Sequence, residues 1–225
     1  MALLKVIPEL LPIDQLTELR DATENATSPE SMGARGPSPY HLTFWYDVRT
    51  PPRNLVERLV LNTLFPLLTE FCGQPLAGVE WWLGRLAPPY ADNFEFGVHR
   101  DFGEEPGTGL LTNPTLSSVF YLTTVEDGPL VVWDGLPRQA AQGGGTGSEC
   151  TFPRANTFVM FPGDRWHTVS TRQAVLGRSS PSRARSPRLS VTVNAWRYRP
   201  VPAADPPMKL VAADYDGDVY PQLCV

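Results

Sequence analysis

Eight short strand-like runs, at about residues 40–48, 79–86, 95–101, 117–124, 129–134, 157–161, 166–171 and 188–197, are set apart by turns carrying Gly or Pro. A chain punctuated in this way builds its core mainly from short strands. Helices are predicted only near the front. Asp14 is placed to cap a short helix with Leu16 and Leu19 on its inner side, ending before the polar stretch Thr23 to Pro37, which reads as loop. Asn54, with Glu57 three residues on, resembles a capping box. Leu55, Leu59, Val60, Leu64, Leu67, Leu68 and Phe71 then recur at helical spacing, with Pro66 expected to kink the helix and Gly73 to end it.

With 225 residues, 42% of them hydrophobic, the chain can bury a substantial core, and a single domain is expected. The net charge of −5 and a pI near 5.2 argue against general nucleic-acid affinity. No stretch is long enough to span a membrane. The apolar start is interrupted by Pro8, Glu9 and Pro12, so it fails as a secretory signal. Cys72, Cys150 and Cys224 are odd in number and share no metal-ligand spacing, which favours reduced thiols and a cytoplasmic location. The sequence assigns no oligomeric state.

Three histidines occur, and two of them suggest a metal. In Phe96-Gly-Val-His-Arg-Asp101 the apparent alternation puts His99 and Asp101 on one face of a strand and Arg100 on the other. His167 lies 68 residues after His99 in the run Phe161-Pro-Gly-Asp-Arg-Trp-His-Thr-Val169, room enough for several intervening strands. Two imidazoles and one carboxylate suit iron(II) enzymes that keep coordination positions open, and zinc accepts the same donors. His41 has no partner pattern and reads as structural.

Arg188 and Ser190 share a face of the last strand-like run. A guanidinium with a hydroxyl beside it is a good receptor for the carboxylate of an organic acid.

His-x-Asp, a distal His and Arg-x-Ser, in this order, resemble the iron(II)- and 2-oxoglutarate-dependent dioxygenases, particularly the prolyl-hydroxylase-like branch, over roughly residues 79 to 198. The run from Ser118 to Trp133 is similar to that family's strand, turn and strand, and Asn156 to Phe161 resembles the strand before the distal histidine. The family's paired glycines appear here as Asp127-Gly128-Pro129. The resemblance implies a mainly β fold with flanking helices (α+β), in which a double-stranded β-helix of jelly-roll or cupin-like type has N-terminal helices packed outside. Residues 1–78 would form helical and strand support, 79–198 the core and 199–225 a tail. The gap of 21 residues between His167 and Arg188 is longer than the family leads one to expect, so 171–187 reads as an inserted loop.

The resemblance further implies that His99, Asp101 and His167 ligate Fe(II), while Arg188 and Ser190 hold the distal carboxylate of 2-oxoglutarate with Tyr121 in the same pocket. Arg172, Arg178, Arg183 and Arg185 are rivals for that arginine; Arg188 is preferred because only it opens a strand-like run. Dioxygen would be the cosubstrate, and hydroxylation of an unactivated C–H bond in a small molecule, amino acid or peptidyl residue the reaction, with release of succinate and CO2. Desaturation and cyclisation would use the same ligands. Asp101 fills the position that a halide would need. The alternative is a cupin-like metal protein or metalloenzyme that does not use 2-oxoglutarate, and the orientation of Arg188 discriminates between them.

Three further features read as ordinary structure. Trp166 is expected to pack, Gly143 to Gly147 to connect flexibly, and Asp214 to Asp218 to form an acidic turn.

Overall fold

Strand alternation lays out the molecule. The computed structural model describes residues 2–32, 43–87, 97–135, 147–171, 175, 186–201, 212–214 and 221–224. In chain order the strands are β1 (Lys5–Ile7), β2 (Thr43–Tyr46), β3 (Gly78–Leu86), β4 (Gly103–Glu104), β5 (Leu111–Thr112), β6 (Leu116–Tyr121), β7 (Leu130–Trp133), β8 (Ser148–Thr151), β9 (Thr157–Pro162), β10 (Trp166–Val169), β11 (Arg188–Trp196) and β12 (Ala212–Asp214). Seven make a large sheet in the order β1-β9-β6-β11-β3-β2-β12, three make a small sheet β10-β7-β8, and β4-β5 is a separate pair. Every pairing is antiparallel except β12 with β2. The fold is thus a mainly antiparallel double-stranded β-helix, as the resemblance implies.

The central strands of the large sheet are buried on both faces, with a different chemistry on each. On β11, Leu189, Val191, Val193 and Ala195 join Val79, Trp81 and Leu83 of β3 and Phe120 of β6 in a core shared with the helices. Burying each such aliphatic side chain contributes about 1.5–3 kcal/mol. The alternate residues Arg188, Ser190, Asn194 and Trp196 are equally buried on the other face. There, Val119, Tyr121, Val159 and Phe161 meet Leu130 and Val132 of the small sheet in a second, smaller core.

Helix α1 (Ile13–Ala26) covers the large sheet with Leu16 and Leu19, but its boundaries differ from those expected. Pro12, with no side-chain cap, precedes it, because proline's φ suits a helix start, and Asp14 lies in the first turn. It runs past Thr23 because Thr23 and Ala26 fall on the buried side, and a short α2 (Pro29–Met32) follows, so this stretch is not all loop.

The second helical region begins as predicted at α3 (Leu55–Leu59), where Asn54 Oδ1 accepts the Glu57 N–H at 2.9 Å. The return contact is displaced by one residue: the Glu57 carboxylate takes the Arg53 N–H at 2.7 Å. Pro66 leaves its mark upstream as a π-helical turn, Val60–Leu64, ahead of α4 (Phe65–Cys72). Proline has no N–H to offer the preceding turn, and widening that turn accommodates the loss. Gly73 ends α4 in the left-handed conformation, φ 65°.

Of the expected strand at 95–101, the described part, residues 97–101, is not a strand. Residues 88–96 lie outside the described set, and from 97 onward only one bridge, between His99 and His167, is present. His41, most of the insert at 171–187 with the four rival arginines, residues 143–146 and residues 215–218 also lie outside it. No disulfide joins Cys72, Cys150 and Cys224. Among the described residues no helix is long and apolar enough to cross a membrane.

Candidate metal centre

Two imidazoles and a carboxylate meet where the sheets face each other. The backbones of His99 and His167 exchange hydrogen bonds of 3.0 and 2.8 Å, and their rings lie 4.4 Å apart, centroid to centroid. Each ring is oriented by a carbonyl two residues earlier: Nδ1 of His99 bonds Gly97 O at 2.8 Å, and Nδ1 of His167 bonds Arg165 O at 3.1 Å. With Nδ1–H donating, the Nε2 lone pair of both rings is left for a metal, the usual division of labour in ligating histidines. Phe161 meets His167 edge-on, 5.0 Å between centroids. Burial holds the His167 imidazole below its ordinary value; the Asp101 charge opposes this and His99 adds to it. A neutral ring is the ligating form.

Asp101 completes the group. Its Oδ1 lies 3.8 Å from His99 Nε2 and its Oδ2 lies 3.6 Å from His167 Nε2. One ligand atom from each of the three residues fits within 4.8 Å of the others. The backbone here is irregular, and side chains hold it: Asn113 Nδ2 donates to Asp101 O at 2.6 Å. Oδ2 accepts from Asn194 Nδ2 at 3.1 Å and from Ser117 Oγ at 3.4 Å. Arg100 points away from the group, as alternation predicts, and lies over the Trp166 ring at 4.7 Å. Trp166 therefore packs on the outside beside its cross-strand partner Trp133.

Two polar rows cross the inner face of the large sheet. Ser117, Asn194 and Glu80 are directly paired across β6, β11 and β3, next to Asp101. Four residues along, roughly 13 Å, Thr157, Tyr121 and Ser190 are paired across β9, β6 and β11. Arg188 is 3% exposed and lies over the Tyr121 ring at 5.1 Å. Burial raises the Tyr121 phenol pKa, and the Arg188 charge holds it back. Arg188 Nε, Ser190 Oγ and Thr157 Oγ1 are buried without a hydrogen bond, and Tyr121 Oη meets only the Arg188 guanidinium. Buried polar atoms gathered in this way are costly unless an anion completes them. Gly128, with φ 66°, lets the turn after β6 lie against Arg188: a Cβ there would sit 3.2 Å from Arg188 Cδ.

The sequence points to six of these residues, His99, Asp101, Tyr121, His167, Arg188 and Ser190, and not to Asp101's donors or Thr157. A signal was present for Asn194, because it falls on the same alternating face as Arg188 and Ser190. Ser117 likewise shares a face with Tyr121 in the run 117–124, whereas no signal points to Asn113, whose role depends on tertiary approach.

No known family profile matches the sequence, and no curated protein does. Solved structures do match. A prolyl-4-hydroxylase from Pseudomonas putida is 15% identical with a TM-score of 0.52, over 88% of this chain and 94% of that one. The non-haem α-ketoglutarate-dependent carbocyclase SnoK from nogalamycin biosynthesis is 15% identical with a TM-score of 0.56, over 86% of this chain and 79% of that one. The epimerase SnoN, in complex with Fe3+, α-ketoglutarate and nogalamycin RO, is 14% identical with a TM-score of 0.56, over 97% of this chain and 93% of that one. The chain thus has the fold of the iron- and 2-oxoglutarate-dependent oxygenases, and on that fold it carries a His-Asp-His facial triad.

Proposed function

We propose that this protein is a non-haem iron(II)- and 2-oxoglutarate-dependent dioxygenase that hydroxylates an unactivated C–H bond of a small molecule, amino acid or peptidyl residue. The observation that carries the reading is the pairing of the metal-ligand group with a buried, unsatisfied receptor for an anion on the same inner face. In this reading His99, Asp101 and His167 hold iron through Nε2, a carboxylate oxygen and Nε2. Arg188 and Ser190 bind the distal carboxylate of 2-oxoglutarate, with Tyr121 closing the pocket. Bound iron, with 2-oxoglutarate and dioxygen, supplies the oxidising power to break the C–H bond, releasing succinate and CO2.

The chain's own part is positional. Asp101, held by Asn194 and Ser117, contributes the one negative ligand. Its carboxylate fills the position a halide would take, which favours hydroxylation over halogenation. The apolar walls, Val119, Val132, Val159 and Phe161, keep water from the inner face. The buried Arg188 speaks against a cupin-like protein that dispenses with 2-oxoglutarate, where a cation on this face would have no anion to meet. The cytoplasm, where Cys72, Cys150 and Cys224 remain thiols, completes the reading.

Anaerobic addition of Fe(II) and then 2-oxoglutarate tests it. The expected result is a visible metal-to-ligand charge-transfer band that needs both additions; no band with both present would overturn the assignment. Product mass then separates reactions, because hydroxylation adds one oxygen atom to the substrate whereas epimerisation or ring closure does not.

A further inference from the structure

Thr192 is the one residue of β11 that the fold leaves accessible. The eight others are buried, whereas Thr192, at the centre of the strand and on its inner face, is half-buried. Its directly paired neighbours, Trp82 of β3 and Val119 of β6, are 7% and 5% exposed, while Val191 and Val193 beside it on the outer face are sealed at 0%. Protein interiors are close-packed, so access at mid-strand means that a space opens over this row.

The two ends of that space are set by residues already described. Two positions along β11, roughly 7 Å, Asn194 Nδ2 donates to Asp101 Oδ2, which lies 3.6 Å from His167 Nε2. Two positions the other way stands Ser190, followed by Arg188. The turn at Gly128 lies against both Arg188 and β10: a Cβ there would sit 3.2 Å from Arg188 Cδ and 3.7 Å from Val169 Cγ1. Strand β10 therefore stands opposite β11, with His167 at the metal end and Val169 at the receptor end, and Thr192 looks into the gap between them. A dicarboxylate held by the metal ligands' ion at one end and by Arg188 at the other must cross the row Trp82, Thr192 and Val119. No side chain of that row carries a charge, which suits the uncharged middle of such a molecule.

We infer that Thr192 is a specificity-determining residue for the cosubstrate: its short side chain forms the floor under the carbon chain of a 2-oxo dicarboxylate, and its size limits the substituents which that chain can carry. The inference rests on the reading of His99, Asp101 and His167 as metal ligands and of Arg188 as the receptor for the distal carboxylate.

The test is calorimetric binding of 2-oxoglutarate, and of its 3-methyl and 4-methyl derivatives, to the full chain loaded with Mn(II). The Mn(II) affinity of each variant, from loss of the free-ion EPR signal, and its urea unfolding are measured alongside. Thr192→Leu should weaken 2-oxoglutarate roughly 10–100-fold, the effect of overfilling a fitted site, with Mn(II) affinity within about threefold of the wild type. Thr192→Ala, which cannot overfill the gap, should narrow the wild type's preference for 2-oxoglutarate over a methylated derivative by about tenfold, since one methyl group in a fitted pocket is worth that much or more. Wild-type affinity for 2-oxoglutarate in folded Thr192→Leu would overturn the inference, and so would an unchanged preference in Thr192→Ala. A fall in Mn(II) affinity as large as that in 2-oxoglutarate would also overturn it, by assigning Thr192 to the support of the metal centre. Failure of the Mn(II)-loaded wild type to bind 2-oxoglutarate would be a different result, overturning the proposed function and this inference together.

Discussion

His99 and His167 are tied to each other through both backbone hydrogen bonds of one antiparallel bridge, so their side chains emerge together on the same side. Asp101 reaches the pair from an irregular segment, and its place depends on Asn113, Asn194 and Ser117. The two histidines are set by the backbone and the aspartate by its neighbours.

Asp101→Ala should therefore leave the histidine pair in place and remove the only charged ligand. Succinate formation is expected to fall below detection while the protein remains folded, with a stability loss of about 1–3 kcal/mol from the donors left behind. Wild-type levels of succinate would contradict the ligand assignment.

Arg188→Ala should act on the cosubstrate instead. The 2-oxoglutarate concentration needed for half-maximal turnover is expected to rise by roughly a hundredfold, from loss of a two-point charged contact worth about 2–3 kcal/mol. Arg188→Lys should recover little, because an ammonium cannot reproduce the planar fork. Titration of 2-oxoglutarate against initial rate provides the measurement.

Gly128→Ala tests the turn after β6. A side chain there would adopt φ 66° and sit 3.2 Å from Arg188 Cδ. The expected result is a loss of roughly 1–2 kcal/mol of stability, together with weaker 2-oxoglutarate binding as Arg188 is displaced. Thermal unfolding and the same titration report the two effects separately.

Glu80 should make stability depend on pH. Its carboxyl is pushed up to about 7 from 4.5, so in that interval the folded, metal-free protein keeps a proton that the unfolded chain has released. The unfolded state then binds fewer protons, so stability falls as pH rises through the interval and levels off above about 7. Relative to Glu80→Gln, the wild type should lose a few kcal/mol between about pH 5 and about pH 8. Urea unfolding across that range provides the check, and a constant difference would refute it.

Most of the barrel was legible because period-two alternation survives wherever a strand has two differently buried neighbours, as in 188–197 and 117–124. His167 and Arg188 can be read for the same reason. In 97–101 the apparent alternation corresponds to a single bridge rather than a ladder. The short strands β1, β4, β5, β8 and β12 carry too few residues to display a period. α1 runs beyond the end that its sequence suggests because Thr23 is polar by type yet fully buried by position. Asn113 owes its role to a partner distant in fold rather than in any strand pattern, which spacing does not reveal.

The division of β11 has a consequence for substitution. Residues 189, 191, 193 and 195 hold the helices to the sheet, while 188, 190, 192 and 194 face the chemistry. Substitutions on the second set change the anion receptor or the hold on Asp101 without loosening the first. One strand thus lets the chemistry on its inner side be altered while the framework on its outer side stays intact.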